Sequence, residues 1–115
     1  MEVRIIKKPL AKRELKEIAE KQFGNLVKAV VDIEKEIVAV AGEMHADEEV
    51  ALMREEGSKR ENTWGINIYP DKKEEEFIEF DSIINLKPSF GNRSRDIENT
   101  EIKERIKEIV TNLIK

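Results

Sequence analysis

The sequence predicts one α+β domain over residues 1–115, with the element order β-α-β-β-α-β-β-α. Three observations lead to this fold class. Apolar residues recur at helical spacing in three blocks, a β-branched run covers 26–33, and apolar residues alternate with small or polar ones over 64–69. We therefore expect a two-layer arrangement, a mixed sheet of about five strands with its helices mainly on one face.

The first half of the chain predicts a strand, a helix and a hairpin. The predicted bounds are 3–7 for the strand, 11–23 for the helix, and 26–33 and 37–41 for the two hairpin strands. Gly24 suits the left-handed residue that ends a helix. The hairpin turn, Glu34-Lys35, lacks the glycine that is usual in tight turns. The initial β-α-β step predicts that the first two strands run parallel, with a right-handed crossover.

The second half predicts two helices and two strands. The bounds are 46–56 for the second helix, 64–69 and 77–86 for the strands, and Asn99 or Thr100 as the start of the last helix. Val50 and Met53 are expected to face the core from the second helix. The last helix shows the clearest pattern, because Ile102, Ile106, Ile109, Val110 and Leu113 recur at i, i+4, i+7, i+8 and i+11.

Composition excludes several classes of protein. There is no cysteine and one histidine, which removes disulfides, cysteine-based zinc sites and any two-histidine metal motif within one chain. The net charge is −4, so we do not expect tight nonspecific binding to nucleic acid. No apolar run is long enough for a membrane span, and no apolar signal core follows the N-terminus, so we expect a cytoplasmic protein. Abundant Glu and Lys with a single Gln is typical of thermophiles.

Glu43, His45 and Asp47 form the first candidate site. They follow a predicted strand at i, i+2 and i+4, so in an extended segment the three side chains point the same way. Such a set is suited to a divalent cation, or to proton transfer with His45 as general base beside Glu43. The alternative is structural, with Asp47 and His45 serving a helix N-terminus. We predict no cofactor.

Residues 91–95, Gly-Asn-Arg-Ser-Arg, form the second candidate site. Gly91 and Asn92 permit unusual backbone angles, and Arg93 and Arg95 flank the Ser94 hydroxyl just before the last helix. Guanidinium donors and a helix N-terminus are suited to a phosphate or carboxylate. In the alternative, both arginines pair with neighbouring acids and the segment is simply a turn.

A third candidate is the polar face of the last two predicted strands. If 64–69 pairs with 77–86, five polar side chains share one surface. They are Asn67, Tyr69, Glu79, Asp81 and Asn85. This surface is either a cleft or partner surface, or an ordinary solvent-facing side of the sheet.

Several motifs resemble one small prokaryotic family of uncharacterised proteins. They are Gly-Glu-Met-His-Ala-Asp (42–47), Trp-Gly-Ile-Asn-Ile-Tyr-Pro (64–70), Phe-Asp-Ser-Ile-Ile-Asn-Leu-Lys-Pro (80–88) and Gly-Asn-Arg-Ser-Arg (91–95). The resemblance extends over nearly the whole chain. Because the family is a domain of unknown function, it implies no activity, cofactor or catalytic residue.

These observations favour a ligand- or partner-binding module with an anion site at the 91–95 loop. The first alternative is a small enzyme acting on a phosphate- or carboxylate-bearing substrate, with His45 as general base. The second is a homo-oligomeric structural protein, a homodimer, that associates through the sheet, with 3–7 or 64–69 as an exposed edge.

Overall fold

A computed structural model describes residues 2–115 and confirms the α+β class. The strands are β1 (Arg4–Ile6), β2 (Val27–Asp32), β3 (Ile37–Val40), β4 (Thr63–Ile68) and β5 (Ile78–Glu79). The helices are α1 (Lys12–Gln22), α2 (His45–Glu56) and α3 (Thr100–Leu113), and short 3-10 turns cover Arg60–Asn62, Glu74–Glu76, Ile83–Asn85 and Pro88–Phe90. No helix between residues 2 and 115 combines the length and the apolar character that crossing a membrane requires.

The five strands form one sheet in the order β1-β3-β2-β4-β5. Every neighbouring pair is antiparallel, so the expectation of a mixed sheet is wrong. β1 and β2 do point in the same direction, as predicted, but β3 lies between them and pairs with both. Strand β4 is an interior strand, which leaves β1 rather than 64–69 as an edge.

The β2–β3 hairpin is confirmed, and an aspartate explains its turn. Asp32 pairs with Ile37 across the hairpin, and its Oδ1 accepts from the amides of Glu34 at 2.9 Å and Lys35 at 3.0 Å. Glu36 takes the left-handed conformation, at φ 58°. The side-chain hydrogen bonds thus stabilise a turn that has no glycine.

Helices α1 and α3 cover one face of the sheet, as the apolar periodicity predicts. Leu15 and Ile18 of α1 and Ile106 and Val110 of α3 are buried in one cluster with alternate residues of β2, β3 and β4. The Leu10 amide donates to the Leu113 carbonyl at 2.7 Å, which joins the start of α1 to the end of α3. Asn99 caps α3 at the predicted position.

Helix α2 covers the opposite face of the sheet. The domain therefore has helices on both sides of the sheet, rather than the two layers that the sequence predicts. Leu52 packs there with Val30, Ile37, Ala39 and Ile84. The other buried residues of α2 are His45, Glu48 and Glu49. Val50 and Met53 are each 44% exposed, so the prediction that they face the core is wrong. The helix is oriented by polar side chains that find partners underneath it.

The predicted strand 77–86 is much shorter than expected. β5 ends at Glu79, and the chain then forms a 3-10 turn in which the Asn85 side chain pairs with β4. Its Oδ1 accepts from the Gly65 amide at 2.8 Å, and its Nδ2 donates to the Gly65 carbonyl at 2.9 Å. A Cβ at Gly65 would lie 2.5 Å from the Ser82 side chain, so this approach requires glycine. Asn85 is therefore buried against β4 and does not lie on the predicted polar face.

Candidate functional site

The 91–95 loop is held in shape by the buried side chain of Asn92. Its Nδ2 donates to the carbonyl oxygens of Asn85, Ser94 and Asp96 at 2.7, 3.0 and 2.8 Å. Its Oδ1 accepts from the Glu98 amide at 2.8 Å. Gly91, at φ 84°, takes the left-handed conformation that ends the preceding 3-10 turn. One side chain thus ties both ends of the loop together before any ligand is present.

The two arginines of this loop are exposed and differ in their contacts. Arg95 Nε donates to Asp81 Oδ1 at 2.6 Å, and both side chains stay about half exposed. The Arg93 guanidinium forms no ion pair within residues 2–115. The Arg93 backbone amide donates to Glu98 Oε2 at 2.8 Å. A carboxylate of the chain itself therefore already lies on the loop backbone, at the Arg93 amide.

The N-terminus of α3 is occupied by its own cap. Asn99 Oδ1 accepts from the amides of Glu101 at 2.8 Å and Ile102 at 3.2 Å. Because these amides already have an acceptor, an anion on the 91–95 loop would depend on guanidinium donors rather than on the end of the helix.

Asn67, Tyr69, Glu79 and Asp81 form one polar network beside β5. Asn67 Nδ2 donates to Glu79 Oε1 at 2.9 Å and to the Asp81 carbonyl at 3.3 Å, and the Tyr69 hydroxyl donates to the same Glu79 oxygen at 3.1 Å. Partial burial and the Glu79 carboxylate raise the pKa of Tyr69. Since Asp81 also holds Arg95, the network extends to the 91–95 loop.

His45 lies at the other end of this network. It is 8% exposed, and its Nε2 is 2.8 Å from the Ile66 carbonyl, so the neutral ring carries its hydrogen on Nε2. Burial lowers the pKa of His45, and the hydrogen bond to Ile66 offsets part of this change. The ring thus fastens the first residue of α2 to β4 beside Asn67, with Nδ1 as the nitrogen that keeps a lone pair.

Glu43 and Asp47 lie apart from His45. Glu43 is exposed in an open groove with Phe23 and Met44, whereas Asp47 lines a different groove on the outside of α2. The i, i+2, i+4 alignment is lost because α2 begins at His45. Among residues 2–115, no group of three or more acidic or histidine side chains is placed to hold a metal ion.

Glu48 is a buried acid that the sequence interpretation did not single out. It is fully buried, its Oε2 accepts from the Gly42 amide at 2.9 Å, and its Oε1 has no hydrogen-bond partner in the described part of the chain. Burial raises the pKa of Glu48 well above its usual range. A Cβ at Gly42 would lie 2.6 Å from the Glu48 side chain. The available signal was the i, i+3, i+7 spacing of His45, Glu48 and Leu52.

A second polar cluster joins α2 to the segments around β4. Glu49 accepts from Thr63 Oγ1 at 2.6 Å and pairs with Arg60 at 3.3 Å. Lys87 is buried over the Trp64 ring and donates to the carbonyl oxygens of Arg60 and Thr63. Burial lowers the pKa of Lys87 to about 8. The polar groups of Glu49, Thr63, Arg60 and Lys87 all have partners here, which explains why α2 turns Glu49 inward.

Comparison with known proteins places the chain in a family without assigning it an activity. No curated protein and no solved structure matches the chain at a significant level. A family model described as "Protein of unknown function (DUF5674)" matches residues 4–113, which include all the elements above. The chain therefore belongs to the DUF5674 family.

Proposed function

We propose that the protein is a ligand- or partner-binding module that holds an anionic group, a phosphate or a carboxylate, on Arg93 and Arg95. The observation that carries this proposal is the pair of exposed guanidinium groups on a loop shaped by Asn92. Guanidinium groups present paired donors that match phosphate and carboxylate oxygens. Because the loop has its shape beforehand, binding orders little additional backbone.

The contact that Glu98 makes with the loop supports an anion as the ligand. The same contact limits the affinity of the loop for an external anion. Its carboxylate occupies the Arg93 amide, so the loop backbone already accommodates an oxyanion at hydrogen-bond distance. An external anion has to compete with Glu98 and with Asp81, which holds Arg95. We therefore expect a dissociation constant of about 1 mM for inorganic phosphate, weakened further by salt.

The position of His45 favours a binding module over an enzyme. A general base needs access to its substrate, and the His45 ring is buried with Nε2 engaged by Ile66. Glu43, its suggested catalytic companion, lines a groove with Phe23 and Met44 instead. The enzyme alternative thus lacks an assembled pair of groups for proton transfer.

The test is a titration of the ¹⁵N-labelled chain with inorganic phosphate, followed by NMR. We expect amide shifts confined to residues 91–98. Arg93→Ala and Arg95→Ala should each weaken binding about fivefold or more, whereas Arg13→Ala, on the exposed side of α1, should leave it unchanged.

Glu98→Ala provides a test in the opposite direction. Removing its carboxylate frees the Arg93 amide and removes a repulsive charge, so phosphate should bind about two- to fivefold more tightly. Equal affinity in the wild type and in an Arg93→Ala, Arg95→Ala double variant, with thermal unfolding unchanged, would refute the proposal.

A further inference from the structure

The segment before the 91–95 loop buries polar side chains and exposes apolar ones. Asn85 and Lys87 are buried, because their side chains donate to carbonyl groups of β4 and of the turn before it. The exposed fractions of Ile83, Leu86 and Phe90 are 65%, 37% and 53%. Exposed apolar side chains that are grouped in this way mark a surface that a partner covers. We refer to these three residues as the apolar patch.

The apolar patch is compact, and part of it projects from the fold. The Leu86 amide donates to the Ile83 carbonyl at 3.1 Å, so these two side chains stack at the i, i+3 spacing of a 3-10 turn. Lys87 and Asn92 exchange two backbone hydrogen bonds, at 2.8 and 3.1 Å, and close the loop that carries Phe90. The four residues between them are all exposed. Phe90 therefore lies at the tip of a loop that projects into solvent.

Two guanidinium groups border the apolar patch at Leu86. The backbone pair that closes the loop is antiparallel, so the residues just outside it, Leu86 and Arg93, lie opposite each other, and both are exposed. On the other side, Arg60 Nη2 donates to the Leu86 carbonyl at 3.2 Å. Residues 82–95 contain three basic residues and no acidic one. The patch thus lies in the part of an acidic chain that carries positive charge.

The acidic side chains that flank this stretch in the sequence are engaged. Asp81 and Asp96 each form an ion pair with a basic residue of the chain, at 2.6 and 3.2 Å. Glu98 accepts from the backbone amide of Arg93 at 2.8 Å. The Arg93 guanidinium itself forms no ion pair within residues 2–115. An unpaired cation therefore lies beside exposed apolar side chains.

We propose that the apolar patch inserts into the surface of a membrane that contains anionic phospholipid, with a headgroup phosphate on Arg93. This inference rests on the proposed function, because the guanidinium group that meets the headgroup belongs to the proposed anion site. Apolar side chains beside basic ones are typical of protein surfaces that lie in the interface of a bilayer. Such a contact needs no helix that spans the bilayer.

A bilayer fits this surface better than a protein partner does. Three side chains that are between about a third and two thirds exposed present roughly 300 Å², well below the roughly 800 Å² per partner of a standard protein interface. A second copy would bring two arginine-bordered patches together, which like charges oppose. A projecting loop also needs a matching cavity in a protein, whereas lipid adapts to its shape.

The test is co-sedimentation of the full chain with vesicles of about 30% phosphatidylglycerol and about 70% phosphatidylcholine. We expect half of the chain to be bound at about 1 mM lipid. Vesicles of phosphatidylcholine alone should bind at least about threefold more weakly, and so should the anionic vesicles at high salt, because both changes remove the attraction of Arg93 to the headgroups.

Substitutions separate insertion from charge. Phe90→Ala and Ile83→Ala should each weaken vesicle binding about fivefold, because each removes an inserted side chain. Arg93→Ala should weaken binding to the anionic vesicles about fivefold and change binding to neutral vesicles little. Phe23→Ala is the matched control, since Phe23 is 42% exposed at the end of α1, and it should bind as the wild type does.

Phe90→Trp reports insertion directly. Its indole emission should shift to shorter wavelength on the anionic vesicles and should be quenched by brominated lipid. Phe23→Trp should show neither change. Trp64 is buried, so its emission supplies a background that is common to both variants.

This inference and the proposed function can fail separately. Phe90→Ala should keep the phosphate response of the wild type while it loses vesicle binding. A wild type that responds to phosphate but binds neither vesicle would overturn the inference and leave the proposed function standing, whereas a wild type without either response would remove both.

The remaining outcomes assign the patch to another occupant. Self-association at about 0.5 mM that Phe90→Ala abolishes, without vesicle binding, would assign it to a second copy and overturn the inference. Vesicle binding that is undiminished in Arg93→Ala or in Phe90→Ala would overturn it as well. Thermal unfolding of each variant establishes that the chain is folded.

Discussion

Helices α2 and α3 are built on opposite principles although they pack on the same sheet. Helix α3 buries Ile106, Ile109 and Val110 and directs its charges to solvent. Helix α2 buries one apolar side chain, Leu52, together with the polar His45 and Glu48, and leaves Val50 and Met53 exposed. Hydrophobic burial positions α3, whereas α2 depends on hydrogen bonds of buried polar side chains in addition to Leu52.

This difference implies that the two faces of the sheet tolerate amino-acid substitutions differently. An apolar contact can be replaced by another of similar volume, because it has little directional requirement. A buried acid depends on one partner in one direction, and its loss leaves the other group unsatisfied. The three predictions below test this contrast, from the largest expected effect to the smallest.

Ile106→Ala should lower the free energy of unfolding by about 2–5 kcal/mol, because it leaves a cavity at a fully buried position of α3. Urea denaturation followed by circular dichroism measures this loss. Met53→Ala is the matched control on α2, and it should cost no more than about 0.5 kcal/mol in dilute protein since Met53 is exposed. A loss well under 1 kcal/mol for Ile106→Ala would contradict the assignment of the apolar face.

Glu49→Ala should lower the free energy of unfolding by about 1–3 kcal/mol, because the buried Thr63 hydroxyl loses the closer of its two acceptors and Arg60 loses its ion-pair partner. Glu55→Ala, an exposed glutamate of the same helix, should be nearly neutral. In a double-mutant cycle, Thr63→Val and Glu49→Ala should cost less together than the sum of the two. Strict additivity would mean that the hydrogen bond does not position α2.

Glu48→Gln should change how stability depends on pH. The pKa of Glu48 is raised in the folded state, so the folded chain holds this proton more tightly than the unfolded chain does. Its contribution is fully present below about pH 4.5, the ordinary value, and is lost as pH rises toward the folded pKa. The loss is at most about 1.4 kcal/mol per pH unit.

The glutamine variant carries no such proton, so its stability relative to the wild type should increase as pH rises above 4.5. Comparing the two chains at each pH removes the contribution of His45, whose lowered pKa acts in the opposite sense below its ordinary value of 6.5. Glu17→Gln, on the exposed side of α1, should run parallel to the wild type at every pH. If the stability of Glu48→Gln ran parallel to that of the wild type at every pH, the raised pKa of Glu48 in the folded state would be contradicted.

The elements that could be predicted from the sequence are those with local causes. The apolar spacing of 102–113 and the cap at Asn99 identify α3, and the run of β-branched residues over 26–33 identifies β2. Residues 77–86 have comparable apolar content, yet most of that segment leaves the sheet because Asn85 pairs with Gly65, twenty residues away along the chain. No local pattern encodes such a partner.

The candidate site likewise has one part that the sequence could predict and one part that it could not. The closeness of Asn67 and Tyr69 to Glu79 follows from strand pairing, and the internal bonds of the 91–95 loop are compatible with its predicted turn. The role of Glu48 depends on a glycine in the preceding loop that leaves room for its side chain. A prediction from apolar periodicity assigns glutamate side chains to the solvent side of a helix. For α2 it therefore predicts the wrong buried face.

The side-chain amide of Asn85 has a consequence for the behaviour of the protein at high concentration. It supplies to Gly65 one donor and one acceptor, the same pair that a neighbouring strand would supply. Beyond the short β5, this segment of β4 would otherwise present free backbone groups, and such edges recruit strands from other molecules into aggregates. Asn85 closes that edge with a single residue, and so guards the chain against intermolecular strand addition.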